Sequence, residues 1–186
     1  MNMQLRSLVV LVALFGFSFS VSAQKFYTKN GLLSFFSNTA FENIKADNNQ
    51  VTSVLNTQTG ELQFSLLNNA FHFKKALMEE HFNEDYMESK TYPKSSFKGS
   101  ITNIKNVNFS KDGVYPVTVT GELSLHGVTK KISTTANISL KGGKISGAAK
   151  FSITLADYQI KIDDTVKDSI AKTIEITVSC LYDQKL

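Results

Sequence analysis

Residues able to transfer protons, attack a substrate or hold a metal are few in this chain: three histidines and one cysteine among 186 residues. His81 has Glu84 and Asp85 three and four positions on, which a helix would place on the same face, and Glu88 stands as a fourth ligand for a cation. No second histidine or cysteine has ligand spacing, so a solvated, charged helix face is the simpler expectation. His72 lies between Phe71 and Phe73 and should face away from both. His126 reads as a turn residue. Asp163 and Asp164 are adjacent, and in a strand their carboxylates would point to opposite faces instead of forming a catalytic pair. Cys180 falls among apolar positions and reads as an inert, buried thiol. No glycine-rich phosphate loop, serine elbow or Cys–His pair stands out. The expectation is a protein that is not an enzyme and has no resident metal or cofactor.

The elements around these residues are strands. From Tyr115 to Leu125, Tyr115, Val117, Val119, Leu123 and Leu125 alternate with Pro116, Thr118, Thr120, Glu122 and Ser124. After His126-Gly127, the alternation resumes with Ile132, Thr134, Ala136, Ile138 and Leu140. Lys141-Gly142-Gly143-Lys144 marks a hairpin, because glycine supplies the positive φ of tight turns. Ile145, Ala149, Phe151, Ile153 and Leu155 form the next apolar face, and Ile174, Ile176, Val178, Cys180 and Tyr182 the last. One apolar and one polar face per strand is the mark of antiparallel sheet. Leu32–Ser37, Val51–Asn56, Glu61–Leu67 and Ser95–Ile104 read as further strands, with Thr59-Gly60 turning one hairpin. The predicted fold is therefore all-β, with about eight antiparallel strands, the number at which a closed barrel can hold one small ligand. Residues 74–89 break the pattern: good helix formers, with Met78, Phe82 and Tyr86 spaced four apart, predict one short amphipathic helix over a barrel mouth or side.

The N-terminus reads as an export signal. Arg6 precedes an uncharged apolar run from Leu8 to Phe19, and Val21-Ser22-Ala23 offers the small-x-small cleavage pattern. The run is short of the about 20 apolar residues that span a bilayer. Residues 1–23 are expected to be a signal peptide and 24–186 one domain, periplasmic or secreted. With a single cysteine, no internal disulfide can form and stability must come from packing. The net charge of +4 comes from scattered lysines with no basic stripe, which argues against a nucleic-acid partner.

Two segments resemble the YceI-like family of exported, lipocalin-like barrels associated with polyisoprenoid lipids. Gly121-Glu122-Leu123-Ser124-Leu125-His126-Gly127-Val128-Thr129-Lys130 resembles its G-x-L-x-L-x-G-V-T-K strand–turn–strand. Tyr92-Pro93-Lys94-Ser95-Ser96-Phe97 resembles its Y-P-x-x-x-F segment, and order and spacing agree across about nine-tenths of the mature chain. Leu155-Ala156-Asp157-Tyr158-Gln159 departs from the family's Arg-x-Asp-aromatic-Gly, keeping acid and aromatic but losing Arg and Gly. As residues, the motifs read as scaffold: Gly121 within an alternating strand suggests a bend or close backbone approach, and Pro93 suits a strand start.

Fourteen phenylalanines and no tryptophan provide bulk without polar handles. The alternation alone is equally compatible with a packed core, a pocket, or a small outer-membrane barrel with its apolar face outward. The resemblance implies a pocket for an apolar lipid, isoprenoid or quinone-like, lined by Phe64, Phe71, Phe73, Met78, Phe82, Tyr86, Phe97, Leu123, Leu125, Phe151 and Ile153. On this reading the partner is the lipid, stable membrane insertion is not expected, and a homodimer is admissible. A non-catalytic structural or interaction barrel with a filled core, or a small outer-membrane barrel, is the alternative to such a carriage or storage protein.

Overall fold

A computed structural model describes residues 24–186; the expected signal peptide, residues 1–23, lies outside the described residues. The elements in chain order are β1 (Lys25–Asn38), β2 (Asn43–Asn56), β3 (Glu61–Leu67), β4 (His72–Phe73), α1 (Ala76–His81), β5 (Lys94–Ile101), β6 (Gly113–Leu125), β7 (Val128–Lys141), β8 (Lys144–Thr154), β9 (Thr173–Tyr182) and β10 (Gln184–Lys185). Eight of the strands close a barrel. Each of β2, β3, β5, β6, β7, β8 and β9 pairs antiparallel with the next of these in the chain, and β1 completes the ring by pairing with both β9 and β2. The two-residue strands β4 and β10 extend the edges of β2 and β1.

The period-2 pattern explains the closure. The long strands turn most of their apolar residues inward, and Lys131, Ser133, Thr135, Lys150, Ser152 and Thr177 alternate with them on the outside, where Val114 and Leu181 are apolar exceptions. The hairpin at Gly142-Gly143 takes φ of +57° and +76°, the mirror-image turn whose twist suits β7 and β8. At one end of the barrel, the segment between β5 and β6 folds inward. Val107 is buried there with Leu55, Ile101, Leu140 and Ile145, and Ile104 and Phe109 pack against them. That end is a sealed apolar plug. The other end carries two long crossings, residues 68–93 with α1 and residues 155–172, together with the two-residue β6–β7 turn.

The structure departs from the sequence expectation in several places. β1 and β2 are fourteen residues each, longer than Leu32–Ser37 and Val51–Asn56 suggest. Register shifts between Thr28, Gly31 and Leu33 break the alternation that would have revealed the rest of β1. β5 ends at Ile101 instead of Ile104, because Ile104–Asn106 coils into a 3₁₀ turn that feeds the plug. Leu155 leaves β8 and opens a 3₁₀ turn, Leu155–Tyr158. The helix is shorter than 74–89: α1 covers Ala76–His81 and continues as a π-helical turn over Phe82–Tyr86, with Met87 N donating to Phe82 O at 2.8 Å. Asp163 and Asp164 lie in a loop, not a strand. Asp163 accepts from Thr165 N and Oγ1 at 2.8 and 2.6 Å, and Asp164 lies 3.8 Å from Lys167 Nζ.

Candidate functional site

Inside the barrel lies a cavity of about 390 Å³, within the range of small-molecule sites, about 300–1,000 Å³. All eleven residues named from the sequence border it. Phe64 on β3, Phe97 on β5, Leu123 and Leu125 on β6, and Phe151 and Ile153 on β8 form the walls. Phe71 and Phe73 reach it from the segment after β3, and Met78, Phe82 and Tyr86 from the helix. The π turn keeps Phe82 and Tyr86 over the cavity and brings Met87, five residues after Phe82, onto the same buried side.

Phe82 anchors the helix to the barrel. Its ring centroid lies 5.4 Å from Phe35, 5.4 Å from Phe71 and 5.1 Å from Phe73. Such tilted and offset contacts suit aromatic quadrupoles and add to the burial itself. Phe35 was missed by the sequence reading, because Phe35 and Phe36 are adjacent and the bulges upstream hide which of them faces inward. Leu33 on β1, and Val166 and Ile170 in the 155–172 crossing, also border the cavity without a periodic signal.

Polar groups at the cavity are few and mostly engaged. Asn68 is buried, donates to Tyr92 O at 2.6 Å and accepts from Ser95 Oγ at 2.6 Å. Towards the plug, Tyr182 borders the cavity and its hydroxyl shares a 2.9 Å hydrogen bond with Ser53 Oγ. Burial raises the Tyr182 phenol above its ordinary value, and burial likewise pushes the Cys180 thiol up to about 12. Both groups are neutral at physiological pH, so this region is polar but uncharged. At the helix end Glu42 forms an ion pair with Lys75 Nζ at 2.9 Å, and His81 Nδ1 shares a hydrogen bond with Asp85 Oδ2 at 2.6 Å; Glu42 and His81 border the cavity.

The cation site considered at His81 is not assembled. Asp85 pairs with His81, whereas Glu84 turns to Lys90 at 3.3 Å and Glu88 to His126 at 3.3 Å. Among the described residues no group of three His, Cys, Asp or Glu is placed to hold a metal ion. His72 is exposed, 3.8 Å from Glu79.

His126 does more than turn the chain. Its Nδ1 donates to Tyr158 O at 3.0 Å and its Nε2 faces Glu88 Oε1 at 3.3 Å, with Tyr92 packed edge-on at 4.7 Å. Tyr92 also covers Gly127, where an added Cβ would come within 2.5 Å of Cε1. The Tyr92-Pro93 segment and the Gly121–Lys130 segment thus meet at one rim clasp joining three crossings. Spacing could not reveal it, since the partners lie 32 and 38 residues from His126.

A closed eight-stranded antiparallel barrel around an apolar cavity, lidded by one short helix, defines a lipocalin-like class of architecture. A family model for the YceI-like domain matches residues 17–181, and the chain belongs to that family. Solved structures share the fold. A polyisoprenoid binding domain from Saccharophagus degradans, implicated in plant cell wall breakdown, is 18% identical with a TM-score of 0.74, covering 86% of this chain and 97% of that one. BcnA from Burkholderia cenocepacia is 15% identical, with a TM-score of 0.66 over 80% of this chain and 94% of its own. The Campylobacter jejuni YCEI protein is 19% identical, with a TM-score of 0.55 over 77% and 87%. No curated protein matches the chain in sequence.

Proposed function

We propose that this protein is an exported carrier that holds an apolar lipid of polyisoprenoid or quinone type in its barrel, without catalysing a reaction. The observation that carries the reading is the lining of the cavity: phenylalanine, leucine and isoleucine from every wall, with charged groups only near the helix end. Burying hydrocarbon there gains roughly 25 cal/mol per Å² of apolar surface. Glu42, paired with Lys75, and His81, hydrogen-bonded to Asp85, give a polar mouth for a head group. The likeness to a polyisoprenoid binding domain supports the same ligand class. The outward lysines, serines and threonines support a carrier in water over a barrel embedded in lipid, which needs an apolar outer band. No described helix is long and apolar enough to cross a membrane. The signal-like residues 1–23 support a periplasmic or secreted location.

Native mass spectrometry on the mature protein, purified without detergent, tests the reading. The expected result is a discrete adduct that releases an isoprenoid chain on extraction. A bare protein mass that does not change on incubation with isoprenoid quinones would overturn it in favour of an interaction barrel.

A further inference from the structure

β7 and β8 part halfway along the barrel. From their hairpin they pair only as far as Ala136 with Ala149. Beyond that point β7 remains paired with β6 up to Val128, and β8 with β9 up to Thr154. Residues 128–135 and 150–154 therefore face each other with no ladder between them. The far end of this gap is bridged by the Leu155–Tyr158 turn: Lys130 Nζ lies 3.8 Å from Asp157 Oδ1, and His126 Nδ1 donates to Tyr158 O. The result is a slit in the wall, closed at both ends.

The cavity reaches this slit. Asn137 and Ala148 pair across β7 and β8, point outward and are exposed, yet both border the cavity. Inward neighbours at the slit's inner end are small, Ala136 and Ala149, with Thr134 beyond them. A sheet in water normally pairs or covers its edges, because free N–H and C=O groups invite other chains. Here an otherwise closed barrel leaves a gap in its ladder beside the apolar cavity: Val128, Phe151, Ile153 and Leu155 belong to one packed cluster at its far part, whereas its inner end carries only the small Ala136 and Ala149.

We infer that the slit is a lateral exit for the ligand's hydrocarbon. The inference rests on the lipid-carrier reading and deepens it, since it selects chain length. The plug at Val107 and Tyr182 bars passage through one end and the helix lids the other. A prenyl chain longer than the cavity leaves between β7 and β8, over Ala136 and Ala149, and continues on the outer surface. Short chains stay inside. The protein thereby accepts long isoprenoids without enlarging its cavity.

Thr135 and Lys150 are the next positions in register beyond Ala136–Ala149, and both point outward, so the double variant T135C/K150C staples the slit from outside on oxidation. Binding of farnesol, a short prenol, and solanesol, a long one, is titrated in the reduced and oxidised forms. The expected result is unchanged farnesol binding and solanesol binding weakened about tenfold on oxidation, the equivalent of stranding about two methylenes in water, with recovery on reduction. A148W, which plugs the slit without a crosslink, should discriminate the two prenols in the same way. Equal solanesol binding in both redox forms and in A148W overturns the lateral exit while leaving the carrier reading intact. Failure of the reduced protein to bind either prenol overturns the carrier reading and the exit with it.

Discussion

Gly99 and Gly121 stand directly opposite each other in the β5–β6 ladder, both facing inward, and the Phe97 ring lies over the pair. A Cβ built on Gly99 would be 2.7 Å from Phe97 Cζ, and one on Gly121 2.6 Å. Each would also collide with the opposite backbone, at Thr120 O or Lys98 O. The space two side chains would occupy is therefore filled by one ring, which then forms part of the cavity wall. Gly121→Ala should lower stability by about 1–3 kcal/mol through overpacking. Chemical denaturation measures it. Pairing the change with Phe97→Leu should recover little of the loss, because the backbone contacts at Lys98 O and Gly99 Cα are closer than the ring.

The helix should be removable from the mouth without unfolding the barrel. Phe82→Ala with Met78→Ala deletes the anchor on Phe35, Phe71 and Phe73. The cost should be about 1–3 kcal/mol, below that of a fully buried phenylalanine, because Phe82 is only partly buried. Amide exchange should accelerate over residues 76–92 and not over β6–β9, and bound lipid should be lost faster. Unchanged lipid retention would remove the helix from any gating role.

Alkaline pH should destabilise the fold through Cys180 and Tyr182. The thiol moves from its ordinary 9.0 to about 12, and the phenol also rises from 10.0, both chiefly through burial. Below pH 9 both groups are protonated in folded and unfolded chains, so neither changes stability. Above pH 9 for the thiol and above pH 10 for the phenol, the unfolded chain releases a proton that the folded chain keeps, and stability falls as pH rises, by about 1.4 kcal/mol per pH unit for each group. Cys180→Ala should flatten the fall between pH 9 and about 12 in denaturation midpoints. The same burial predicts that iodoacetamide at pH 8 labels Cys180 only after denaturation.

His126→Ala should loosen the rim while leaving the barrel closed. It removes the donor to Tyr158 O and the contact with Glu88, a loss of about 1–2 kcal/mol. Faster amide exchange at residues 155–159 and 88–92 would show it. Exchange confined to the His126-Gly127 turn would mean that the clasp bears no load.

Much of this architecture can be read from residue alternation, and the failures have physical causes. From Tyr115 to Leu125 and again from Ile132 to Leu140 the side chains keep their parity, because one face is buried and the other wet. In β1 the bulges around Gly31 flip that parity, which concealed both the strand's length and Phe35. Six of the eleven pocket residues, Phe64, Phe97, Leu123, Leu125, Phe151 and Ile153, border the cavity because strand parity puts them inward, but parity reports burial, not volume, and cannot tell a pocket from a packed core. The β7–β8 slit is equally silent in sequence, since alternation runs on through residues 128–135 and 150–154 where no ladder joins them. The π turn shortens the helix expected over 74–89 through backbone hydrogen bonding, which side-chain spacing does not encode.

The seam between β1 and β9 joins residues near the two ends of the described chain, Leu32–Phe36 with Glu175–Ser179. Every other ladder of the ring links strands consecutive along the chain or separated by a single crossing. Closure therefore depends on the contact of longest range and is expected to come last in folding, after the local hairpins have formed. Until β9 docks, the sheet is an open trough whose apolar face is uncovered along its whole length. In that state the chain presents its largest apolar surface to water, so the interval before β9 docks is when copies are most prone to associate with one another.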